Sequence, residues 1–315
     1  MERTFAQVLA PYDRIAFIGI CKNAGKTTAL CHLLDAWQAR RLAITSVGQD
    51  GERCDLVTGT PKPEIPVTAG TLLATARGTL PQCQIMFEVL EESGISTPLG
   101  EVVLIRALTQ GTVRIAGPSM VEQLPPIMER FRFYGAQHTL IDGAAARLSP
   151  ARAAKAVVLC IGASFSADPI AVVAEAAHLC RCFSFPRTQQ ILPDSGWSSE
   201  ENALAIENGL PRWEGGGRLL AGGAVTSTVL RHLLAASPPE CIVIRDATRW
   251  QADRFLTERY LQQGGSVFVT QPLRLAAVTA NPFSARGTDF DAPYFLDLLR
   301  QTIPLPIFDV REAAK

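Results

Sequence analysis

The chain has 315 residues, enough for one large α/β domain or a domain that carries a sizeable insertion. Basic and acidic residues number 30 each, so with a formal net charge of zero nothing argues for a nucleic-acid surface or an electrostatic membrane anchor. With 47% apolar and 19% charged residues, the composition suits a cytoplasmic globular protein.

Met1-Glu2-Arg3-Thr4 is not followed by a hydrophobic signal core, so export is not expected. The first ordered signal is the apolar run Ile15-Ala16-Phe17-Ile18-Gly19-Ile20, which reads as a strand. It leads into Cys21-Lys22-Asn23-Ala24-Gly25-Lys26-Thr27-Thr28 and then into the helical pattern Ala29-Leu30-Cys31-His32-Leu33-Leu34. Strand, tight loop and helix in that order form the context of a phosphate-binding P-loop. Backbone N–H groups of Lys22, Asn23, Ala24, Gly25, Lys26, Thr27 and Thr28 would then wrap a polyphosphate at the positive end of the helix. Lys26 would meet the β- and γ-phosphates, and the Thr27 hydroxyl would ligate Mg²⁺.

Against the pattern G-x-x-x-x-G-K-[ST], the second glycine is Gly25 and Ile20 stands where the first belongs. Gly19 comes one residue early, so the loop must begin with a different bend or an extra residue. Lys22 either reaches phosphate oxygens or points to solvent. The bland alternative for the whole stretch is a turn before a helix, with Lys26 an ordinary surface lysine.

Leu42 to Val47 reads as a second strand, expected to neighbour the first. The polar loop Gly48-Gln49-Asp50-Gly51-Glu52-Arg53-Cys54-Asp55 follows at its carboxyl end, the ligand-binding edge of a parallel sheet. Asp50 is a candidate metal ligand there, with Asp55 its competitor; either could instead cap the loop. The prolines of Thr60-Pro61-Lys62-Pro63-Glu64-Ile65-Pro66 point to an extended loop. Glu101–Ala107 and Gly111–Ala116 look like a hairpin or two neighbouring strands. Ser119–Tyr134 has helical spacing, with Ser119 as N-cap.

Thr139-Leu140-Ile141-Asp142-Gly143-Ala144-Ala145 is the second key motif, an apolar strand ending in an acid as a Walker B strand does. Asp142 is expected to hold the metal, because an acid that closes a buried strand needs a partner. The competing role is that of a turn-forming Asp before Gly143. A strand over 156–161 and a helix over 169–177 come next. Between Arg181 and Gly217 the composition shifts to polar residues, Trp, Pro and Gly, which marks a linker or irregular excursion. Helices over 226–234, 252–261 and 292–300 then alternate with strands over 241–245, 266–269 and 275–280. Asn281 follows the last of these. Its amide could read a purine edge, or simply start a turn before Pro282. No Asn-Lys-x-Asp guanine motif accompanies it, so adenine is the expected base.

The eight cysteines are scattered apart from Cys180-Arg181-Cys182, which has no second pair to complete a zinc site. Reduced, mostly buried thiols are expected, with Cys21 set apart by its place inside the phosphate loop.

The strand-helix rhythm predicts an α/β fold with a mostly parallel, doubly wound sheet and a C-terminal α/β extension or insertion. Residues 1–180 would form the nucleotide-binding core and 181–265 an irregular segment plus a small α/β extension. A C-terminal strand-helix-strand, 266–315, would complete the core.

Gly25-Lys26-Thr27-Thr28, the Asp50 loop, the Asp142-Gly143-Ala144 turn and the Asn281 strand end together resemble a P-loop NTPase class. Its members include dethiobiotin synthetase, the cobyrinic-acid synthetases and MinD-type ATPases. In the synthetases an acid-Gly-Ala-Gly-Gly turn binds metal and substrate. Here Asp142-Gly143-Ala144-Ala145 keeps the acid and lacks the glycines, which leaves the metal role but not the substrate contacts. A closer likeness is to a bacterial P-loop family associated with lysine 5,6-aminomutase and regarded as part of its reactivase. Lys22–Thr28, Gly48–Glu52, Thr60–Pro63, Asp142–Arg147, Asn281–Ser284 and Phe308–Val310 are similar to that family, nearly the length of the chain.

The resemblance implies an ATP- and Mg²⁺-dependent hydrolase that remodels or reactivates a protein partner, a cobalamin enzyme in the closer family. Lys26 and Asp142 would carry the catalysis, and Thr27, Asp50 and Asp142 would hold the metal. MinD-like relatives act as dimers, so a homodimer belongs to the expectation. The competing expectation is a small-molecule ligase or kinase of the dethiobiotin synthetase kind, with Lys62 and Arg147 beside Asp142 neutralising an anionic substrate.

Overall fold

The computed structural model describes residues 3–48, 64–143, 148–188, 197–200, 217–285 and 287–309. Asp50, Asp55, Lys62, Arg147 and the Ala144–Ala145 turn lie outside them. The chain divides into two compact units, Met1–Ala176 with Leu275–Lys315, and Ala177–Arg274.

In chain order the elements begin with α1 (Phe5–Leu9), β1 (Arg14–Gly19), α2 (Lys26–Ala36), β2 (Leu42–Val47), β3 (Ile65–Val67) and β4 (Leu72–Ala76). There follow β5 (Phe87–Thr97), β6 (Gly100–Ala107), β7 (Gly111–Val113), α3 (Leu124–Phe133), β8 (His138–Gly143), β9 (Ala156–Gly162) and α4 (Pro169–Phe183). The middle stretch holds β10 (Trp197–Glu200), β11 (Arg218–Ala221), β12 (Val225–Thr226), α5 (Ser227–Ala235), β13 (Cys241–Ile244), β14 (Trp250–Gln251), α6 (Arg254–Gln262) and β15 (Ser266–Val269). The chain ends with β16 (Leu275–Asn281), α7 (Ala292–Thr302) and β17 (Ile307–Asp309).

The fold is mixed α/β around a nine-stranded sheet in the order β17-β16-β9-β1-β8-β2-β4-β6-β5. Pairing is parallel from β17 through β4, then antiparallel for β6 and β5. β1 lies near the middle and is buried along Ile15–Gly19 because both faces are covered. Ile15 and Phe17 pack with Leu30 and Leu33 of α2 and with Phe5 and Leu9 of α1. Ala16, between them, faces the other way, toward Leu124 and Met128 of α3. Among the described residues no helix is long and apolar enough to cross a membrane.

Strand order sets where a ligand can enter. The chain passes from β1 to β2 across β8, and from β8 to β9 across β1. These crossovers leave in opposite directions around β1, a topological switch point with its crevice at the carboxyl ends of the strands. The expectation that β2 neighbours β1 is therefore corrected: β8 stands between them. Local sequence carries no information on which strand inserts there.

Other expectations change for local reasons. Gly100–Ala107 and Gly111–Val113 do not pair with each other. β6 runs between β4 and β5, whereas β7 pairs with β3. Ser119 does not cap α3. Pro125 and Pro126 fit only the first turn of a helix, so the α-helix starts at Leu124 after a 3-10 turn over Val121–Gln123. Helix α4 continues to Phe183, past the predicted end at 177.

Within the second unit, β10, β11, β13 and β15 form a parallel four-stranded sheet. Strand β15, expected to help complete the core, pairs there with β13. Trp250, Tyr260, Leu230 and Leu233 centre its own core.

Candidate functional site

The loop Ile20–Gly25 joins the carboxyl end of β1 to α2, at the mouth of the switch-point crevice. Its course depends on residues that keep out of its way. Gly19 ends β1, and a Cβ there would stand 3.0 Å from the Cβ of Ala24 and 3.2 Å from the Lys26 ammonium. Gly162 ends the adjacent β9, and a Cβ there would lie 2.8 Å from the Cα of Ala24. Ala24 is thus sealed between two strand ends with no room for side chains. The early glycine of the motif consequently has a job: it makes space for the lysine and the loop wall. Ile20 N donates to the carbonyl of Cys160 at 3.2 Å, continuing the β1–β9 ladder one residue beyond the strand.

Two loop residues take left-handed backbone angles, Asn23 at φ 60 and Gly25 at φ 92. Asparagine tolerates that region better than most residues, and glycine adopts it freely. Gly25 caps α2 without a side-chain bond, and the helical ladder opens with Ala29 N to Gly25 O at 2.9 Å. The N–H groups of Lys26, Thr27 and Thr28 precede that ladder and have no helical acceptor. They lie at the positive end of the helix dipole.

Lys26 is 9% exposed and folds back over the loop, where its ammonium donates to the carbonyl of Cys21 at 3.2 Å. Burying an ammonium is costly unless an anion or several acceptors meet it. Lys22 and Cys21 are half-buried on the same loop, and Thr28 is exposed.

Asp142 lies on β8, in register with Phe17 of β1 on one side and Ser46 of β2 on the other. Its Oδ2 accepts a hydrogen bond from the Thr27 hydroxyl at 3.2 Å. The next residue, Gly143, has no space for a Cβ, which would meet the carbonyl of Phe17 at 2.4 Å. The strand end is therefore pinned against β1 and the carboxylate is fixed beside the first turn of α2. The charges of Lys26 and Asp142 both reach Cys160, but burial dominates there and pushes its thiol up to about 12. Burial, aided by the Asp142 charge, also pushes Cys31 up to about 12. Neither thiol is a nucleophile near neutral pH.

Asn281 ends β16 and reaches the same loop. Its Nδ2 donates to the carbonyl of Asn23 at 3.2 Å, and its Oδ1 accepts from Phe283 N at 3.2 Å. A Cβ on Gly25 would lie 3.0 Å from the Cβ of Asn281.

Lys26, Thr27, Asp142 and Asn281 thus converge on one loop. Gly19, Gly143 and Gly162 were not among the sequence candidates, although each ends a buried strand with glycine, which is the signal for a close approach. Among the described residues no group of three or more His, Cys, Asp and Glu is placed to hold a metal. A magnesium ion needs fewer protein ligands, one or two oxygens beside phosphate and water. The hydroxyl of Thr27 and the carboxylate of Asp142 suit that requirement, and the N–H groups that open α2 suit a polyphosphate. Cys180 and Cys182, the close cysteine pair, belong to the second unit, where burial pushes Cys180 up to about 12. Comparison with protein-family models, curated proteins and solved structures found no match to this chain.

Proposed function

We propose that the chain is a P-loop NTPase that binds ATP with magnesium at the β1–α2 loop and hydrolyses it to remodel or reactivate a partner enzyme. The observation that carries this reading is the Thr27–Asp142 contact, which joins the first turn of α2 to the neighbouring parallel strand. A hydroxyl and a carboxylate held together at a helix N-terminus are what a nucleotide-bound magnesium requires.

Each residue then has a defined task. The N–H groups of Lys26, Thr27 and Thr28 receive phosphate oxygens at the positive end of α2. Lys26 releases the Cys21 carbonyl and turns its ammonium to the β- and γ-phosphates, exchanging a neutral acceptor for a charged one. Thr27 and Asp142 orient the cation. When bound, magnesium would neutralise the charge gathering on the transferred phosphoryl group. Gly19 and Gly162 let the loop wall at Ala24 pack against the two strand ends, which sets the loop's course around the phosphates.

A protein partner is part of the proposal on the strength of the motif resemblance to the aminomutase reactivase family. Turnover of ATP by the purified chain, with and without magnesium, tests the reading. Magnesium-dependent phosphate release, raised by a cobalamin-dependent aminomutase, supports it. Release stimulated instead by a small carboxylate or amine, with no protein added, would favour the ligase or kinase class. Absence of both binding and turnover refutes it.

A further inference from the structure

The loop's two left-handed residues share one neighbour. Asn281, 258 residues from Asn23, donates its amide to the Asn23 carbonyl, and its Cβ borders the face of Gly25 where a side chain would stand. Asn23 is the only residue other than glycine with positive φ among the described residues. Asparagine adopts that conformation more readily than other residues with a side chain but less freely than glycine, and the amide bond from Asn281 favours it. The amide's other end is held in turn, since Phe283 N donates to the Asn281 Oδ1. The backbone of Asn281 is fixed as well, because Ala163 N donates to its carbonyl at 2.9 Å, linking β16 to the end of β9. The side chain is thus oriented from behind and spends one amide hydrogen on the loop.

We infer that Asn281 is a positioning residue for the phosphate loop and not a reader of the base. It holds Asn23 and Gly25 in their left-handed turns so that the N–H groups following them point at the phosphates. This inference rests on the nucleotide reading above and assigns the residue's effect to the polyphosphate, the part common to every nucleoside triphosphate. A base reader would show the opposite: its loss would change the choice between adenine and guanine and leave a ligand without a base unaffected.

Calorimetric titration of the full chain with magnesium salts of ATP, GTP and inorganic tripolyphosphate separates these roles. For Asn281→Ala the inference expects one common loss of affinity for all three, about tenfold, the worth of a single hydrogen bond. Binding stoichiometry reports the folded fraction, so misfolded protein lowers the stoichiometry and leaves the affinity of the remainder unchanged. Asn23→Gly in the Asn281→Ala background should regain part of the loss, because glycine takes positive φ unaided. A general packing role for Asn281 predicts no such rescue. An altered ATP-to-GTP ratio with tripolyphosphate unaffected overturns the inference, as does unchanged affinity for all three ligands or a failed rescue. Wild-type protein that binds none of the three overturns the nucleotide reading itself and this inference with it.

Discussion

The Thr27 hydroxyl donates to the Asp142 carboxylate at 3.2 Å, across 115 residues of sequence, tying the first turn of α2 to the end of β8. Replacing Thr27 with Val keeps the shape and removes the oxygen. ATP turnover at saturating nucleotide should then fall on the order of 10–100-fold and need far more magnesium for half-maximal rate. Asp142→Asn should act in the same direction. A magnesium titration of turnover checks both, and an unchanged midpoint in either variant contradicts the metal role.

The glycine cradle makes a steric prediction. Gly162→Ala places a Cβ 2.8 Å from the Ala24 Cα, a contact with backbone that a rotamer change cannot relieve. The variant should lose about 1–3 kcal/mol of stability and weaken ATP binding as the loop shifts. Gly70→Ala is the control. Alanine is strained at that position's φ of 90, but nothing lies within 4 Å of the new methyl. It should lose about 1 kcal/mol without affecting nucleotide. Urea denaturation and ATP titration of both variants distinguish the two effects.

Stability should fall at alkaline pH. Cys31 and Cys160 are pushed up from 9.0 to about 12, chiefly by burial. Between those values the unfolded chain releases protons that the folded chain retains. The stabilisation is therefore complete below about pH 9 and is lost as pH rises toward 12. Each thiol contributes a slope approaching 1.4 kcal/mol per pH unit in that window. Urea unfolding at pH 8, 9 and 10 should show the decline, and Cys160→Ala should lessen it. A flat profile would contradict the burial of these thiols.

The second unit depends on an aromatic centre. Trp250 is 1% exposed, its ring lies near Phe185 and Tyr260, and its Nε1 donates to the Thr257 hydroxyl at 2.9 Å. Trp250→Ala should cost about 3–5 kcal/mol through the cavity it leaves. Thermal melts followed by circular dichroism would show the loss; a shift of under a degree would contradict it.

Much of the first unit was legible in the sequence because its strands are short, apolar and bounded by turn residues. β2 has the bounds that its pattern suggests, as does β15 in the second unit. The contact between Asp142 and Thr27 follows from two motifs, one that starts a helix just after a parallel strand and one that ends a parallel strand in an acid. Strand order was not legible, since it reflects which buried surfaces fit together. That is why β8, and not β2, stands beside β1. Strand β5 escaped the pattern because bulges interrupt its alternation, with register shifts between Val89 and Glu91 and between Glu92 and Ser96. α1 carries a readable signal in its short sequence, since Thr4 and Gln7 form a capping box. Asn281 was legible as the polar end of a strand, but only the fold shows its amide turned to the Asn23 carbonyl.

Titration of the full chain with ATP in the presence of magnesium, wild type against Lys26→Ala, tests the central claim most directly. Lys26 is the buried ammonium over the loop, and loss of its charged hydrogen bonds to phosphate should weaken ATP at least about tenfold. Saturable binding by the wild type, lost or reduced by that factor in the variant, is the predicted result. Equal affinity in the two proteins, or no binding by the wild type, would contradict the account.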